Sequence, residues 1–438
     1  MLATDGELAQ RPRLCSGTLD AEKLWCDEPT VHLPAIADPA QERIVATLDE
    51  LLFPFCPGAG DVLLTRHPMP DSHRDVLRSL GFDFENQETN ARPRDALQDR
   101  EVPRRYFYSP YAVVPGWEAA LEGWSISNAL PATATIKKVN SKVYSWQLRS
   151  DLGGPFGEAC LSAASVGVAA TAILAKGKGA LIKEAYGVSG RGSLLVETSK
   201  TLERICRYIE NGERRGGRVE FIVEPLLAKK EDFSCQVDLD ETEGPRILGV
   251  QRMRNRGFSF GQVETVEKSF TDRLEQWGYF GVIEKVGAAL LADGYFGPVC
   301  VDSMLAEEGL VPVVEINARK SMGLINQTLH GRLGRRSKRS TLGFHDIRVS
   351  PGASHQALID RLEARGLLLS RDRPVGVLPL NASGITVNLP VEPSAASPEP
   401  VAGRVYFSIH SDDAATEERL EAAFVQVLGE VEMRVPGR

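Results

Sequence analysis

"GPVCVDSMLAEEGLVPVVEINAR", residues 297 to 319, is the stretch on which the reading of this chain turns. Two apolar runs flank "EEGL", and a tight turn centred on Glu308-Gly309 predicts a hairpin with Asp302 opposite Glu315 and Cys300 opposite Asn317. Successive strand residues point to opposite faces, so Glu315, Asn317 and Arg319 project together while Val314 and Ile316 turn the other way. Cross-strand pairing then brings Asp302 beside Glu315 and Asn317, all within reach of one hard cation. A small set of oxygen ligands suits magnesium, which keeps several waters and takes further ligands from substrate phosphates. Routine strand-end hydrogen bonding explains any one of these side chains. It explains less well three on one face with an arginine two residues on.

The chain has 438 residues, enough for two or three domains with a sizeable core. Lys and Arg number 51 against 59 Asp and Glu, a net charge of −8, which speaks against nucleic acid as a partner. Seven cysteines are scattered at 15, 26, 56, 160, 206, 235 and 300 with no C-x-x-C pair, the pattern of a reducing compartment. Asp5, Glu7, Arg11 and Arg13 interrupt the N-terminus, so no secretory signal is expected and a cytoplasmic setting is. The longest uncharged stretch, residues 159 to 175, is too short to span a membrane and reads as a buried helix.

Three segments are expected. Residues 1 to 133 follow an α/β rhythm, as in "GDVLLTRHPMPDSHRDVLRSLGFDF": a strand at 61 to 65, an amphipathic helix at about 70 to 80, then another strand. Residues 134 to 337 carry the motifs. Residues 338 to 438 read as a small α+β domain, with a helix at about 354 to 366, strands "PVGVLPL" and "RVYFSIHS", a closing helix at about 414 to 428, and "LPVEPSAASPEPVAG" as a loop.

A phosphate cradle is offered by "GALIKEAYGVSGRGSLLV", residues 179 to 196: a strand ending in Lys183, then Gly187, Gly190 and Gly192, then a second strand. Glycines let backbone N–H groups approach phosphate oxygens and a lysine supplies a point charge. Alone this is weak, because a Gly-rich hairpin is more often a plain turn. A protein kinase is excluded by order: the glycine loop follows the lysine, "HRD" at 73 to 75 lies upstream, and no D-F-G occurs.

The order of motifs from 140 to 319 resembles that of the ATP-grasp superfamily. "NSKVYSWQL" at 140 to 148 is similar to its first lysine segment, "ALIKEAYGVSGRG" to its second lysine with the glycine loop, "FIVEPLLAKKEDFSCQV" to its adenine hinge and ribose strand, and "VDSM" with "VEINAR" to its metal hairpin. The resemblance implies a nucleotide held between two α+β subdomains, preceded by an α/β domain, with ATP and magnesium as cofactors. It implies that Lys142 and Lys183 neutralise phosphates, that Glu224 accepts from the adenine amino group while backbone near Leu226 reads the ring, and that Glu231 or Asp232 holds the ribose. Asp302, Glu315 and Asn317 would bind one or two magnesium ions, and Arg319 would stabilise the transferring phosphoryl group or acyl phosphate. Cys300, near the metals in this register, suits a small buried apolar role better than that of a nucleophile.

The reaction implied is attack of a carboxylate on the γ-phosphate, then displacement of phosphate by a nucleophile. An amine acceptor, giving an amide or peptide bond, is expected, the nearest resemblance being to ligases of peptide and natural-product biosynthesis such as the pheganomycin-type peptide ligases. The alternatives are a carboxylate–thiol ligase that loads an amino acid onto a carrier protein, and a non-catalytic ATP-binding regulator. Candidate substrate contacts are Arg252, Arg254 and Arg256 in "RMRNRGFSFGQV", Lys320, and the basic cluster "HGRLGRRSKRS" at 330 to 340, which would guide an acidic substrate or dock a carrier protein if it is more than a solvated loop. Homodimers are common in the superfamily.

Overall fold

The first segment builds a parallel sheet from β1 (Arg13–Cys15), β2 (Val62–Thr65), β3 (Glu85–Glu88), β4 (Arg105–Tyr108) and β5 (Ser125–Ile126). Its order is β3-β2-β1-β4-β5. This is a computed structural model and describes residues 11–26, 29–89, 105–154, 156–187, 192–334, 337–390 and 399–437. The expected helix is Asp71–Ser79, with His73 and Leu77 buried. The strand after it starts at Glu85, because Phe82 and Phe84 leave the pairing edge for the core, where Phe82 meets Phe53 edge to face at 5.0 Å. Strand order reverses at β1, and the carboxyl ends of strands at such a reversal form a crevice. There Gly17 (φ 143°) lies so close to Tyr111 that an added Cβ would meet its backbone nitrogen at 2.9 Å.

A second, antiparallel sheet has the order β6-β9-β7-β8, from β6 (Glu158–Cys160), β7 (Ala180–Glu184), β8 (Ser193–Val196) and β9 (Phe221–Pro225). Helices Ala163–Leu174 and Ser199–Arg214 bury Val166, Ala170, Ile205 and Ile209 on it. The expected buried helix is thus buried on one face only, with Val168 70% exposed on the other.

The third sheet runs β14-β13-β10-β11-β12-β15-β17-β16. Its strands are β10 (Lys229–Asp240), β11 (Gly244–Arg256), β12 (Ser259–Thr265), β13 (Gly297–Ala306), β14 (Gly309–Asn317), β15 (Arg339–Val349), β16 (Gly376–Pro379) and β17 (Val401–Ser411), with β18 (Met433–Arg434) on β15. Residues on both sides of 338 therefore share one sheet, joined where Val263 pairs with Leu342. Helices His355–Ala364 and Ala414–Glu430 cover the later strands. In the loop between β16 and β17, residues 391–398 lie outside the described residues.

The hairpin has the expected register at its functional end: Asp302 faces Glu315 and Cys300 faces Asn317. Its tip differs. Ala306 pairs with Gly309, so the turn is Glu307-Glu308, one residue earlier than expected, and β14 carries two extra residues between Val311 and Glu315. Pro312 cannot donate to the ladder, so the strand bulges there, and the Ser303 hydroxyl donates instead to the Pro312 carbonyl at 2.8 Å.

The first and last segments meet around Glu50, fully buried and accepting backbone N–H bonds from Ala382 (2.6 Å) and Ser383 (3.1 Å), with His73 Nδ1 3.8 Å away. Burial pushes its carboxyl up to about 7. A folded-state value above the ordinary one means that Glu50 contributes stability at pH below about 4.5 that is lost as pH rises through about 7. Glu50→Gln should remove up to about 1.4 kcal/mol per pH unit from that slope, read by urea unfolding at pH 5 and 7. An unchanged slope would assign it elsewhere.

Candidate active site

Lys142 opens the helix Lys142–Asp151, whose first turn is capped by the Ser141 hydroxyl accepting from Val143 N–H at 3.2 Å. Its ammonium donates to Glu315 Oε1 (2.8 Å) and the Gly187 carbonyl (3.1 Å), joining the helix, the glycine segment and the hairpin. Lys183, on β7, donates to the buried Glu224 carboxylate on β9. Arg149 approaches the same carboxylate at 3.4 Å, stacked 3.9 Å over Phe156. Arg149 was not anticipated, yet Lys142, Ser145 and Arg149 are the buried positions of one helix, and that spacing is a helix face. Glu224 is thus the counter-ion of two cations. The Leu226 N–H donates to the Gly179 carbonyl at 2.8 Å, and Glu224 and Leu226 both line the cavity.

On the hairpin, Asn317 Nδ2 donates to Asp302 Oδ2 at 3.1 Å. Burial pushes the Asp302 carboxyl up to about 7, with the charge of Glu315 adding to it. Burial also acts to raise Glu315, but Lys142 outweighs it and holds Glu315 below the usual value. Two adjacent carboxylates, one raised by the other, are a donor set that a divalent cation relieves. Among the described residues no group of three His, Cys, Asp or Glu side chains forms a metal cluster; this set is two carboxylates and an amide. Cys300, buried, lies 3.4 Å from Asp302 Oδ1, and burial pushes its thiol up, as suits a packing residue.

All five N–H donors of Arg319 are engaged. Nε and one terminal nitrogen reach Glu22 Oε1, Tyr111 OH accepts at 2.7 Å, the Lys320 carbonyl at 3.0 Å, and Asn317 Oδ1 at 3.1 Å. Glu22 and Tyr111 follow β1 and β4, so the crevice of the first sheet holds this arginine. Neither carries a local sequence signal, being 297 and 208 residues from it.

Lys142, Lys183, Gly187, Glu224, Leu226, Asp232, Asp302, Glu315, Asn317 and Arg319 border one cavity of about 440 Å³. Other expected residues do not. Successive residues of β10 face opposite ways: Asp232 looks into the cavity, accepting from Lys229 Nζ (2.6 Å) and Asn255 Nδ2 (2.8 Å), while Glu231 binds Arg252 on the far face. Arg252 and Arg254 both pair with Glu264, at 3.3 and 2.9 Å, and neither lines the cavity. Lys320 is buried and donates to Ser109 Oγ at 3.0 Å and the Pro110 carbonyl, which makes it a strut between hairpin and first sheet. Gly192 (φ 78°) packs against Glu184 instead, and Gly190 lies outside the described residues. In the basic cluster, Arg335 and Arg336 also lie outside, while Arg339 binds Glu267 (3.3 Å) and Glu417 (3.2 Å) as a clasp to the closing helix.

Solved structures share this fold over most of the chain. Biotin carboxylase from Campylobacter jejuni, in a beta-gamma-ATP complex, is 13% identical with a TM-score of 0.51, covering 89% of this chain and 90% of its own. The biotin carboxylase domain of Hydrogenobacter thermophilus 2-oxoglutarate carboxylase, solved with MgADP, ADP and bicarbonate, is 14% identical with a TM-score of 0.51, covering 90% and 88%. The chain has the ATP-grasp fold. No protein-family model matches it. Among curated proteins, the [Butirosin acyl-carrier protein]--L-glutamate ligase of Niallia circulans is 24% identical over 299 residues, 66% of this chain and 68% of that protein. Within this ATP-grasp fold, no helix among the described residues is long and apolar enough to cross a membrane.

Proposed function

We propose that the protein is an ATP-dependent ligase that activates a carboxylate as an acyl phosphate and transfers the acyl group to an amine. The observation that carries this reading is the convergence of Lys142, Lys183, Asp302, Glu315, Asn317 and Arg319 on one cavity. The base of ATP would lie against Leu226 and Leu181, the ribose at Asp232, and the phosphates between Lys142 and Lys183. Asp302, Glu315 and Asn317 would hold magnesium, whose contribution is neutralisation of phosphate charge. The chain's own residues supply positioning and field. A substrate carboxylate oxygen bonds to the γ-phosphorus as the bond to the bridging oxygen breaks and ADP leaves. The amine then attacks the acyl carbon, phosphate departs with the bonding pair, and the amine loses its proton.

A thiol acceptor on a carrier protein is the second reading, supported by the name of the Niallia circulans relative. A role in peptide or natural-product assembly fits either acceptor. The complete set of cations and carboxylates argues against a regulator without turnover.

Product analysis tests the reading. Protein, ATP and magnesium with a pool of amino acids and small carboxylates, with and without amines, should yield ADP and phosphate only with the pool, plus a condensed mass. Formation of AMP and pyrophosphate instead would exclude the acyl phosphate. The ribose assignment gives a separate expectation: Asp232→Ala should weaken ATP binding about tenfold in calorimetry, and Glu231→Ala should leave it within twofold. Equal effects would mean that facing direction does not decide the contact.

A further inference from the structure

Asp302 is held by both of its carboxylate oxygens. Oδ2 accepts from Asn317 Nδ2 at 3.1 Å, and Oδ1 accepts from the Cys300 thiol at 3.4 Å. That thiol is itself aimed, because its sulfur accepts at 3.3 Å from Gln236 Nε2, which also donates to Ser234 Oγ at 3.0 Å. Gln236 lies opposite Cys300 and Ser234 opposite Asp302 in the pairing of β10 with β13. Gln236 Oε1 accepts from the Ser321 hydroxyl at 2.6 Å, and Ser321 Oγ accepts in turn from Leu324 N–H at 3.0 Å as the cap of the helix Met322–Leu333. Gly323 leaves room for this joint, since a Cβ there would meet Gln236 Nε2 at 2.5 Å.

Gln236, Cys300 and Ser321 are all buried. A buried amide costs stability unless its hydrogen bonds are made, and here both N–H groups and the carbonyl oxygen are engaged. Packing alone would be served by a leucine. What the amide adds is direction: a sulfur that accepts from Gln236 turns its own hydrogen toward Asp302. The chain of bonds ends at Ser321, two residues past Arg319, which reaches Asp302 from the other side through Asn317. The loop after β14 therefore grips Asp302 from two directions.

We propose that Gln236 and Cys300 are positioning residues that fix the Asp302 carboxylate for a divalent cation and tie its orientation to the start of the helix Met322–Leu333. The proposal takes Asp302 as a cation ligand from the ligase reading, but its test needs no turnover.

The test is titration of Mn2+, a cation that accepts the same oxygen ligands as magnesium, into the full chain with a non-hydrolysable ATP analogue. Free Mn2+ is counted by electron paramagnetic resonance, well below the thermal midpoint of each variant. Cys300→Ala should weaken Mn2+ binding about tenfold, as removal of a hydrogen-bond partner from a metal ligand does, and Cys300→Ser, which keeps a donor, should recover it to within about threefold of the parent. Gln236→Met, close in shape but without the amide, should match Cys300→Ala. Cys235→Ala removes a thiol that β10 turns to the opposite face, among Phe233 and Val237, and should stay within about twofold. Parental affinity in Cys300→Ala or Gln236→Met, a serine no better than alanine at 300, or an equal loss in Cys235→Ala would overturn the proposal. A parent that binds no Mn2+ would overturn it together with the cation site. The expected pattern in a protein that releases no ADP would uphold the two positioning residues and count against the ligase.

Discussion

Asp302→Asn should lower ADP formation on the order of a thousandfold while leaving the protein at least as resistant to heat as the parent. The two halves of this expectation come from one geometry. Asp302 and Glu315 face each other across adjacent strands, and burial together with the charge of Glu315 makes Asp302 harder to ionise. An isosteric amide removes that repulsion without opening a void, so the folded state gains or holds while a donor oxygen of full charge is lost. Residues whose removal costs activity and not stability are those shaped for a ligand absent from folding itself. Thermal unfolding in a chelating buffer together with ADP release in magnesium reads both halves. A large drop in midpoint would recast Asp302 as a packing residue and take the cation site with it.

What the sequence made legible is what is local. Alternation along 297–319 is enough to pair Asp302 with Glu315, because strand period and two apolar runs leave one register that buries Val301 and Ile316 together. The same locality misplaced the turn, since the effect of Pro312 on the ladder is absorbed by a bulge that no period announces. Glu231 and Asp232 could be told apart only once β10 had a cavity on a known face. Arg149 was within reach of helical spacing from Lys142. The pairing of β12 with β15, and the meeting of Glu22 and Tyr111 with Arg319, are contacts across long stretches of chain that depend on how the sheets are assembled, and composition and period do not encode them.

Those distant partners give the second large effect. Glu22→Ala should reduce the rate of ADP formation at saturating substrate about a hundredfold, with the KM for ATP changed less than threefold, and should cost about 3 kcal/mol of stability. Arg319 is half-buried with a full complement of acceptors, and only Glu22 among them carries a charge. Removing it leaves the guanidinium without a charged partner and leaves Tyr111, the Lys320 carbonyl and Asn317 to fix its plane. Asn317 matters doubly, because its Oδ1 accepts from Arg319 while its Nδ2 donates to Asp302. A ligand that draws Asn317 Oδ1 away frees one N–H of Arg319 toward the cavity, and Glu22 is what keeps the arginine in place when that happens. A purely structural Glu22 would lower the thermal midpoint and leave the rate intact at temperatures well below it. A fall in rate at such temperatures, partly restored by Glu22→Gln, which keeps one acceptor oxygen, would place the first sheet's crevice in the catalytic machinery.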